Sequence, residues 1–168
     1  LEGNARLIEE AVSSVGPLAP DLIAFPELAL TGYPPEDILL YGPFIEETRE
    51  RAAAIARAHP RERLLVGMPI REEAGLFNAA VLLHGGRAIH AYRKCTLPNY
   101  GVFDEKRYFR AGRLCTIYRL GGWKIAVNIC EDIWVPRGVP DVQARAGAQV
   151  MLNLSASPYY AGKGLERE

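Results

Sequence analysis

The stretch that decides the fold is Val127-Asn128-Ile129-Cys130-Glu131-Asp132-Ile133-Trp134, in which an apolar strand leads into a cysteine and then into an acidic helix start. A thiol at such a junction faces unpaired backbone N–H groups and the positive end of a helix dipole, which favour the thiolate. The same geometry exposes the serine of Gly-x-Ser-x-Gly proteins, but that motif is absent here. The pattern predicts that Cys130 is a nucleophile. The alternative is a cysteine packed in the core, the commoner role of a single Cys.

The composition excludes several classes of protein. With 168 residues, 49% of them hydrophobic, the chain is long enough for one domain with a real core. Its 20 basic and 20 acidic residues leave no net charge to attract nucleic acid or anionic lipid, and no apolar run approaches the ~20 residues of a membrane helix. Cys95, Cys115 and Cys130 have neither metal-binding nor disulfide spacing. We therefore expect a cytoplasmic globular protein that binds no metal, nucleic acid or membrane.

The hydrophobic pattern alternates helices with strands at both ends of the chain and places hairpins in the middle. Asn4 is the predicted N-cap of a helix that runs through Val15, and Gly85-Gly86 and Gly121-Gly122 each predict a tight hairpin turn. This order predicts a mixed sheet with helices on one or both faces. Further helices are predicted at residues 44–59 and 139–146, and strands at residues 22–25, 64–69, 77–84, 87–92, 116–120, 123–129 and 149–154.

The long segment from Cys95 to Gly112 has no clear periodicity and is rich in Pro, Asn, Gly, Asp and aromatic residues. Loops of this length in a compact domain are usually functional or disordered. Because Tyr100, Phe103, Tyr108 and Phe109 are available to pack, we expect an ordered, functional loop.

A cysteine nucleophile needs a base, and the histidines do not supply one. His59 lies at a predicted helix end. His84 and His90 lie at or near a hairpin, where a two-residue loop pairs His84 with Arg87 rather than with His90. We interpret all three histidines as structural or exposed.

Two other charged residues are better placed for this chemistry. Glu27 and Lys94 each follow an apolar strand, and α/β folds place their sites at strand ends. Together with Cys130 they would supply a base, a cation and a nucleophile. The alternative for each is an exposed charge at the end of a strand.

Four blocks of the chain, in order, resemble the nitrilase superfamily of carbon-nitrogen hydrolases and, within it, the glutaminase domains of glutamine-dependent NAD synthetases. The most specific motifs are Thr31-Gly32-Tyr33-Pro34-Pro35-Glu36-Asp37 and Leu97-Pro98-Asn99-Tyr100-Gly101-Val102-Phe103-Asp104-Glu105. The blocks comprise residues 25–37, residues 92–94 with 97–109, residues 129–134, and residues 153–159 with Lys163.

The resemblance implies a catalytic role for four residues. Cys130 would attack the side-chain amide of glutamine, Glu27 would act as the general base, and Lys94 would stabilise the tetrahedral oxyanion. Glu105 matches a second acidic residue that orients Lys94 or the attacking water. Its alternative is a loop salt bridge to a neighbouring basic residue, Lys106 or Arg107.

The resemblance also implies a substrate-binding set. Lys163 would pair with the α-carboxylate of glutamine, while Tyr100 and Ser157 would offer oxygens to the α-amino group. Tyr33 would wall the pocket or, alternatively, pack within its turn.

For the fold, the resemblance implies a four-layer αββα sandwich that is incomplete at both ends, with further elements expected before Leu1 and after Glu168. Residues 1–168 would form part of a glutaminase domain that needs no cofactor. ATP and Mg would belong to a synthetase domain, with its Ser-Gly-Gly loop, that lies outside these residues. The expected partners are L-glutamine, the synthetase domain in the same chain or a partner chain, and further copies in a homo-oligomer.

Two other functions stay open on the sequence alone. One is a free-standing carbon-nitrogen hydrolase that acts on another amide or nitrile. The other is a binding or assembly module that keeps the fold without catalysis.

Overall fold

The computed structural model describes residues 1–101, 103–158, 161, 162 and 164 of the chain. Within them, no helix combines the length and apolarity needed to cross a membrane. The helices are α1 (Glu2–Val15), α2 (Gly42–Ala58), α3 (Glu105–Tyr108) and α4 (Val139–Arg145), with 3₁₀ turns at Gly16–Leu18, Glu36–Leu40 and Cys130–Trp134. The strands are β1 (Ile23–Ala24), β2 (Leu64–Glu72), β3 (Gly75–His84), β4 (Arg87–Arg93), β5 (Thr116–Leu120), β6 (Trp123–Ile129) and β7 (Val150–Leu154).

The strands form two separate sheets. The first has the order β1-β2-β3-β4, with β1 parallel to β2 and the other pairs antiparallel. The second has the order β5-β6-β7, with an antiparallel and a parallel pair. Both predicted hairpins are confirmed: His84 pairs with Arg87 across Gly85-Gly86, and Leu120 pairs with Trp123 across the second glycine pair.

The two sheets pack face to face between layers of helix. Residues of β2 alternate between the faces of the first sheet, because successive side chains of a strand point to opposite sides. Leu64, Val66 and Met68 pack against α1 and α2, whereas Leu65 packs in a cluster with Val127, Ile129 and Leu154 of the second sheet.

Helix α4 lies on the outer face of the second sheet. The pleat turns Asn128 away from the inter-sheet cluster, and its Nδ2 donates to Gln143 Oε1 of α4 at 3.1 Å. The layers therefore run helix, sheet, sheet, helix, which confirms the αββα sandwich that the resemblance implied.

Three predictions made from the pattern need correction. The single mixed sheet is wrong, because periodicity identifies strands but not which strands pair, and the loop after β4 carries the chain into a second sheet. Asn4 is not the N-cap: α1 begins at Glu2, and Asn4 Nδ2 donates instead to Leu30 O at 3.2 Å. In the long loop, Phe109 is buried as expected, but Tyr100 is 58% exposed.

Candidate active site

The loop after β1 carries Glu27 into the interior, where its side chain is 1% exposed. This loop crosses directly over Gly67 of β2: a Cβ atom at that position would lie 2.1 Å from Pro26 O. Leu28, next in the loop, has a φ of +50°, in the left-handed region that non-glycine residues seldom adopt. The position of Glu27 therefore depends on close backbone packing, and the alternative of an exposed loop carboxylate is wrong.

Lys94 directly follows β4 and is fully buried between two carboxylates. Its backbone N–H donates to Asn78 O at 2.8 Å, and its Nζ lies 2.7 Å from Glu27 Oε1 and 2.6 Å from Glu105 Oε1. Burial alone lowers the pKa of Lys94, but the two carboxylates outweigh burial, so the pKa lies above the ordinary lysine value. Lys94 is therefore a cation in the buried site, and the alternative of a solvated strand-end lysine is wrong.

Glu105 is the first residue of α3 and is buried beside Lys94. Its predicted alternative, a salt bridge to Lys106 or Arg107, is wrong, since its carboxylate forms an ion pair with Lys94 instead. Burial raises the pKa of Glu105, and the nearby Glu27 raises it further, against the opposing effect of Lys94. Glu27, Lys94 and Glu105, from three separate segments, thus lie together in one buried site.

Two donors that the sequence did not predict hold the Glu27 carboxylate. Asn78 Nδ2 on β3 donates to Oε1 at 2.8 Å, and the backbone N–H of Ala156 donates to Oε2 at 3.1 Å. Asn78 is a buried polar residue within an otherwise apolar strand, which was the available signal. A backbone donor 129 residues away along the chain leaves no such signal.

Cys130 follows β6 as the first residue of the Cys130–Trp134 turn. Its φ of +42° is left-handed, and this strained backbone is characteristic of residues at functional sites. Its side chain is 5% exposed. The strand end predicted from the sequence is confirmed.

The thiolate form predicted for Cys130 is not confirmed. Burial, followed by the charge of Glu27, raises the pKa of Cys130 to about 11, while Lys94 acts in the opposite direction. The turn that follows is a five-residue 3₁₀ turn rather than the predicted α-helix start. The cysteine is therefore a thiol at neutral pH and needs a base to take its proton.

Asp132 belongs to the Cys130–Trp134 turn, and its side chain caps the start of that turn. Its carboxylate is fully buried and accepts from the Ile129 backbone N–H at 3.0 Å and from the Tyr92 hydroxyl at 2.7 Å. Behind the turn, Asn153 Nδ2 donates to Asn128 Oδ1 at 2.6 Å and to Cys130 O at 3.3 Å. The sequence analysis identified neither Asp132 nor Asn153 as part of the site.

The structure brings part of the predicted substrate-binding set close to these groups. Tyr33 is half-buried and lines a cavity of about 250 Å³ together with Glu105. Burial raises the pKa of Tyr33, and the charges of Glu27, Glu105 and Cys130 add to the shift.

Tyr100 and Ser157 are less buried than the charged residues of the site. The Tyr100 hydroxyl donates to Glu131 Oε2 at 2.8 Å, next to Cys130 in sequence. Ser157 is half-buried one residue beyond the Ala156 donor, and its backbone N–H donates to Ser155 Oγ at 3.2 Å. Lys163 lies outside the described residues.

The histidines take no part in this cluster, as predicted. His84 Nδ1 bonds to Glu62 O and His90 Nδ1 bonds to the Tyr118 hydroxyl, both at 3.0 Å. Across the described part of the chain, no group of three or more His, Cys, Asp or Glu side chains is arranged to hold a metal ion.

The fold and the Glu-Lys-Cys cluster together define a class of protein. The chain belongs to the carbon-nitrogen hydrolase family, which matches residues 1–166. It is 41% identical over 166 residues to the glutamine-dependent NAD(+) synthetase of Aquifex aeolicus, an alignment that covers 97% of this chain and 29% of that protein.

Solved structures agree with this assignment. The glutamine-dependent NAD+ synthetase of Acinetobacter baumannii superimposes with a TM-score of 0.91 at 34% identity, over 99% of this chain and 31% of that one. A mutant of the Nesterenkonia AN1 amidase from the nitrilase superfamily superimposes with a TM-score of 0.82 at 25% identity, over 97% of this chain and 62% of that one. The chain thus spans less than a third of the length of the synthetases that it matches.

Proposed function

We propose that this chain is a glutamine-hydrolysing domain that releases ammonia through a cysteine thioester. In the longer protein, a synthetase domain would use that ammonia, with ATP and Mg, to form NAD from nicotinic acid adenine dinucleotide. The observation that carries the proposal is the buried Lys94 cation, held between Glu27 and Glu105, together with the electrostatic effect of Glu27 and Lys94 on the pKa of the buried Cys130 thiol. The names of the similar synthetases support glutamine as the substrate.

The chemistry begins with a proton transfer. Because the pKa of Cys130 is raised to about 11, the thiol is protonated at rest, and Glu27 accepts the proton as Sγ attacks the amide carbon of the substrate. The carbonyl oxygen becomes an oxyanion, which Lys94 stabilises by its positive charge. In a site that excludes water, one such donor is worth about 3–4 kcal/mol of transition-state stabilisation.

The second half of the reaction releases the products. Glu27 returns the proton to the departing nitrogen, so ammonia leaves and a thioester to Cys130 remains. Water then attacks the thioester carbon, with Glu27 accepting its proton, and the tetrahedral intermediate collapses to glutamate and the regenerated thiol. Glu105 contacts Lys94 Nζ at 2.6 Å and so holds the cation in place. The nucleophile, base and cation are all side chains, so this domain would need no cofactor.

Selection of glutamine would rest on the outer residues of the site. Lys163 would pair with the α-carboxylate, Tyr100 and Ser157 would face the α-amino group, and Tyr33 would form a wall of the pocket. A simple aliphatic amide offers neither charge. We also propose that the longer protein is a cytoplasmic homo-oligomer in which the released ammonia passes to the synthetase domain.

The test is ammonia release by the full-length protein from glutamine and from butyramide. We expect glutamine to be strongly preferred, Cys130→Ala to abolish the release, and Cys115→Ala, at an exposed thiol, to leave it intact. The Cys130→Ala protein should still form NAD when free ammonia is added. Equal turnover of both amides would favour a general amidase, and a fully active Cys130→Ala protein would refute the mechanism.

A further inference from the structure

Asp132 is a buried carboxylate whose two oxygens each accept two hydrogen bonds. Oδ1 accepts from the backbone N–H groups of Cys95 at 3.1 Å and Thr96 at 2.7 Å. Oδ2 accepts from the Tyr92 hydroxyl at 2.7 Å and the Ile129 backbone N–H at 3.0 Å. The side chain is fully buried, and all four of these donors are uncharged groups.

These four donors flank two residues of the proposed mechanism. Tyr92, Cys95 and Thr96 lie on either side of Lys94, whereas Ile129 immediately precedes Cys130. One carboxylate therefore bonds at once to the segment that carries the cation and to the turn that carries the thiol.

The two segments have no backbone ladder in common. β4, which leads to Lys94, is an edge strand of the first sheet, and β6, which leads to Cys130, belongs to the second. The separation of Lys94 from Cys130 is thus not fixed by strand pairing, and it depends on what bridges the two sheets at this end. Asp132 forms such a bridge with four hydrogen bonds.

The bridge requires a carboxylate. All four partners are donors, and an ionised carboxylate is an acceptor at both oxygens, whereas an asparagine side chain presents N–H donors at one of its two positions. In Asp132→Asn, the amide nitrogen would face either the two backbone N–H groups of the Lys94 segment or the hydroxyl and N–H on the other side. One half of the bridge would then be lost with almost no change in side-chain volume.

We propose that Asp132 is a positioning residue for the amide hydrolysis proposed above, on which this inference rests. It sets the distance between Lys94 Nζ and Cys130 Sγ without touching the substrate. Misplacement of a reacting group by about 1 Å lowers turnover by about 100-fold. Loss of the bridge should therefore lower the rate of the chemical step and leave substrate binding largely unchanged.

The experiment compares Asp132→Asn with wild type in the full-length protein, using ammonia release from glutamine. We expect kcat to fall by about 10- to 100-fold and KM to change by less than about threefold. Asp141→Asn, on the first turn of α4, is the matched control and should keep both constants. Melting curves establish that each variant is folded at the assay temperature.

A second variant covers the case in which Asp132→Asn does not fold. Tyr92→Phe removes only one of the four donors, and it should lower kcat by a smaller factor with KM kept. A folded Asp132→Asn with wild-type kcat would overturn the inference, as would an equal rise in KM and fall in kcat; if that variant is unfolded, an unchanged kcat in Tyr92→Phe would do so. Because Cys130→Ala separately decides whether the thiol is needed, failure of this inference is distinguishable from failure of the proposed function.

Discussion

The Cys130 thiol is protonated at neutral pH, and in the proposed mechanism its proton is the first to be transferred. Its pKa is raised to about 11 by burial first and by Glu27 second, and Lys94 limits the rise. The neighbouring carboxylate thus disfavours the thiolate at rest and is also the group positioned to receive the proton. Because the thiolate is the reactive form of cysteine, the raised pKa makes Cys130 less reactive at neutral pH in the substrate-free protein.

This charge arrangement predicts the pH dependence of cysteine alkylation. The rate of iodoacetamide reaction at Cys130 in the substrate-free protein should rise with pH up to about 11, rather than levelling off near the ordinary value of 9.0. Glu27→Gln removes a negative charge that raises this pKa, so the inflection should move to lower pH. Peptide mass spectrometry of the alkylated protein resolves Cys130 from the other thiols.

The exposed Cys115 is the internal reference in the same experiment. Burial raises the pKa of Cys115 too, but Cys115 is exposed whereas Cys130 is buried and subject to the charge of Glu27, so alkylation of Cys115 should level off at lower pH than that of Cys130. An inflection for Cys130 below that of Cys115 would contradict the assignment. The raised pKa also has a consequence for stability: the protonated thiol favours the folded state, and this contribution is lost as pH rises from about 9 towards about 11.

Whether a residue of the site could be predicted from sequence depends on which contacts hold that residue in place. Glu27, Lys94 and Cys130 lie at or just beyond strand ends, and strand ends converge in an α/β fold, so these residues could be proposed from the sequence. Asp132 and Asn78 act through partners 40 and 51 residues away in sequence, which no local pattern encodes. The charge state of Cys130 depends on burial and on its neighbours in space, and the strand-to-helix pattern therefore gave the wrong protonation state.

The contact between β2 and the loop after β1 is a close packing of backbone against backbone within the site. Gly67 is the point of closest approach: an added Cβ would lie 2.1 Å from Pro26 O and 2.6 Å from Leu28 N, and all of these are backbone atoms. Backbone cannot rotate away as a side chain can. The loop that carries Glu27 would have to move.

Gly67→Ala should therefore affect both stability and turnover. We expect the free energy of unfolding to fall by about 1–3 kcal/mol or more, as in other overpacked interiors, and ammonia release to fall with the displacement of Glu27. Gly3→Ala is the matched control, because nothing lies within 4 Å of the added Cβ on α1. Alanine there should raise stability by about 0.5–1 kcal/mol through its higher helix propensity.

Differential scanning calorimetry and turnover of the two full-length variants provide the measurement. Wild-type stability and activity in Gly67→Ala would contradict the prediction that the added Cβ displaces the loop that carries Glu27. Sequence analysis did not identify Gly67, since a glycine within a strand has several explanations and the atoms that it approaches belong to another segment.

At the scale of the whole molecule, an apolar cluster between the two sheets joins them to each other. Leu65, fully buried, joins Val127, Ile129 and Cys130 across the sandwich, so the same apolar contact that stabilises the fold also supports the nucleophile. The sandwich itself was predicted only through the family resemblance. The hydrophobic pattern alone indicated one mixed sheet, because it does not specify which strands pair or how sheets stack.

Shortening the Leu65 side chain should destabilise the folded protein. Leu65→Ala is expected to lower the free energy of unfolding by about 2–5 kcal/mol, the range for a large-to-small change in a packed core. Leu114→Ala is the control, since Leu114 is 73% exposed and should change stability by no more than about 0.5 kcal/mol. Urea denaturation of the full-length variants measures both, and equal effects of the two substitutions would argue against a core between the sheets.

The hydrogen bond from the Ala156 N–H to Glu27 joins residues 129 positions apart. During translation, the base emerges from the ribosome early, and its backbone donor emerges only after both sheets have been synthesised. A nascent chain therefore has a nucleophile and a base that are not yet held in their final geometry. The carboxylate of Glu27 therefore gains its complete set of hydrogen bonds only after the rest of this cluster has been synthesised.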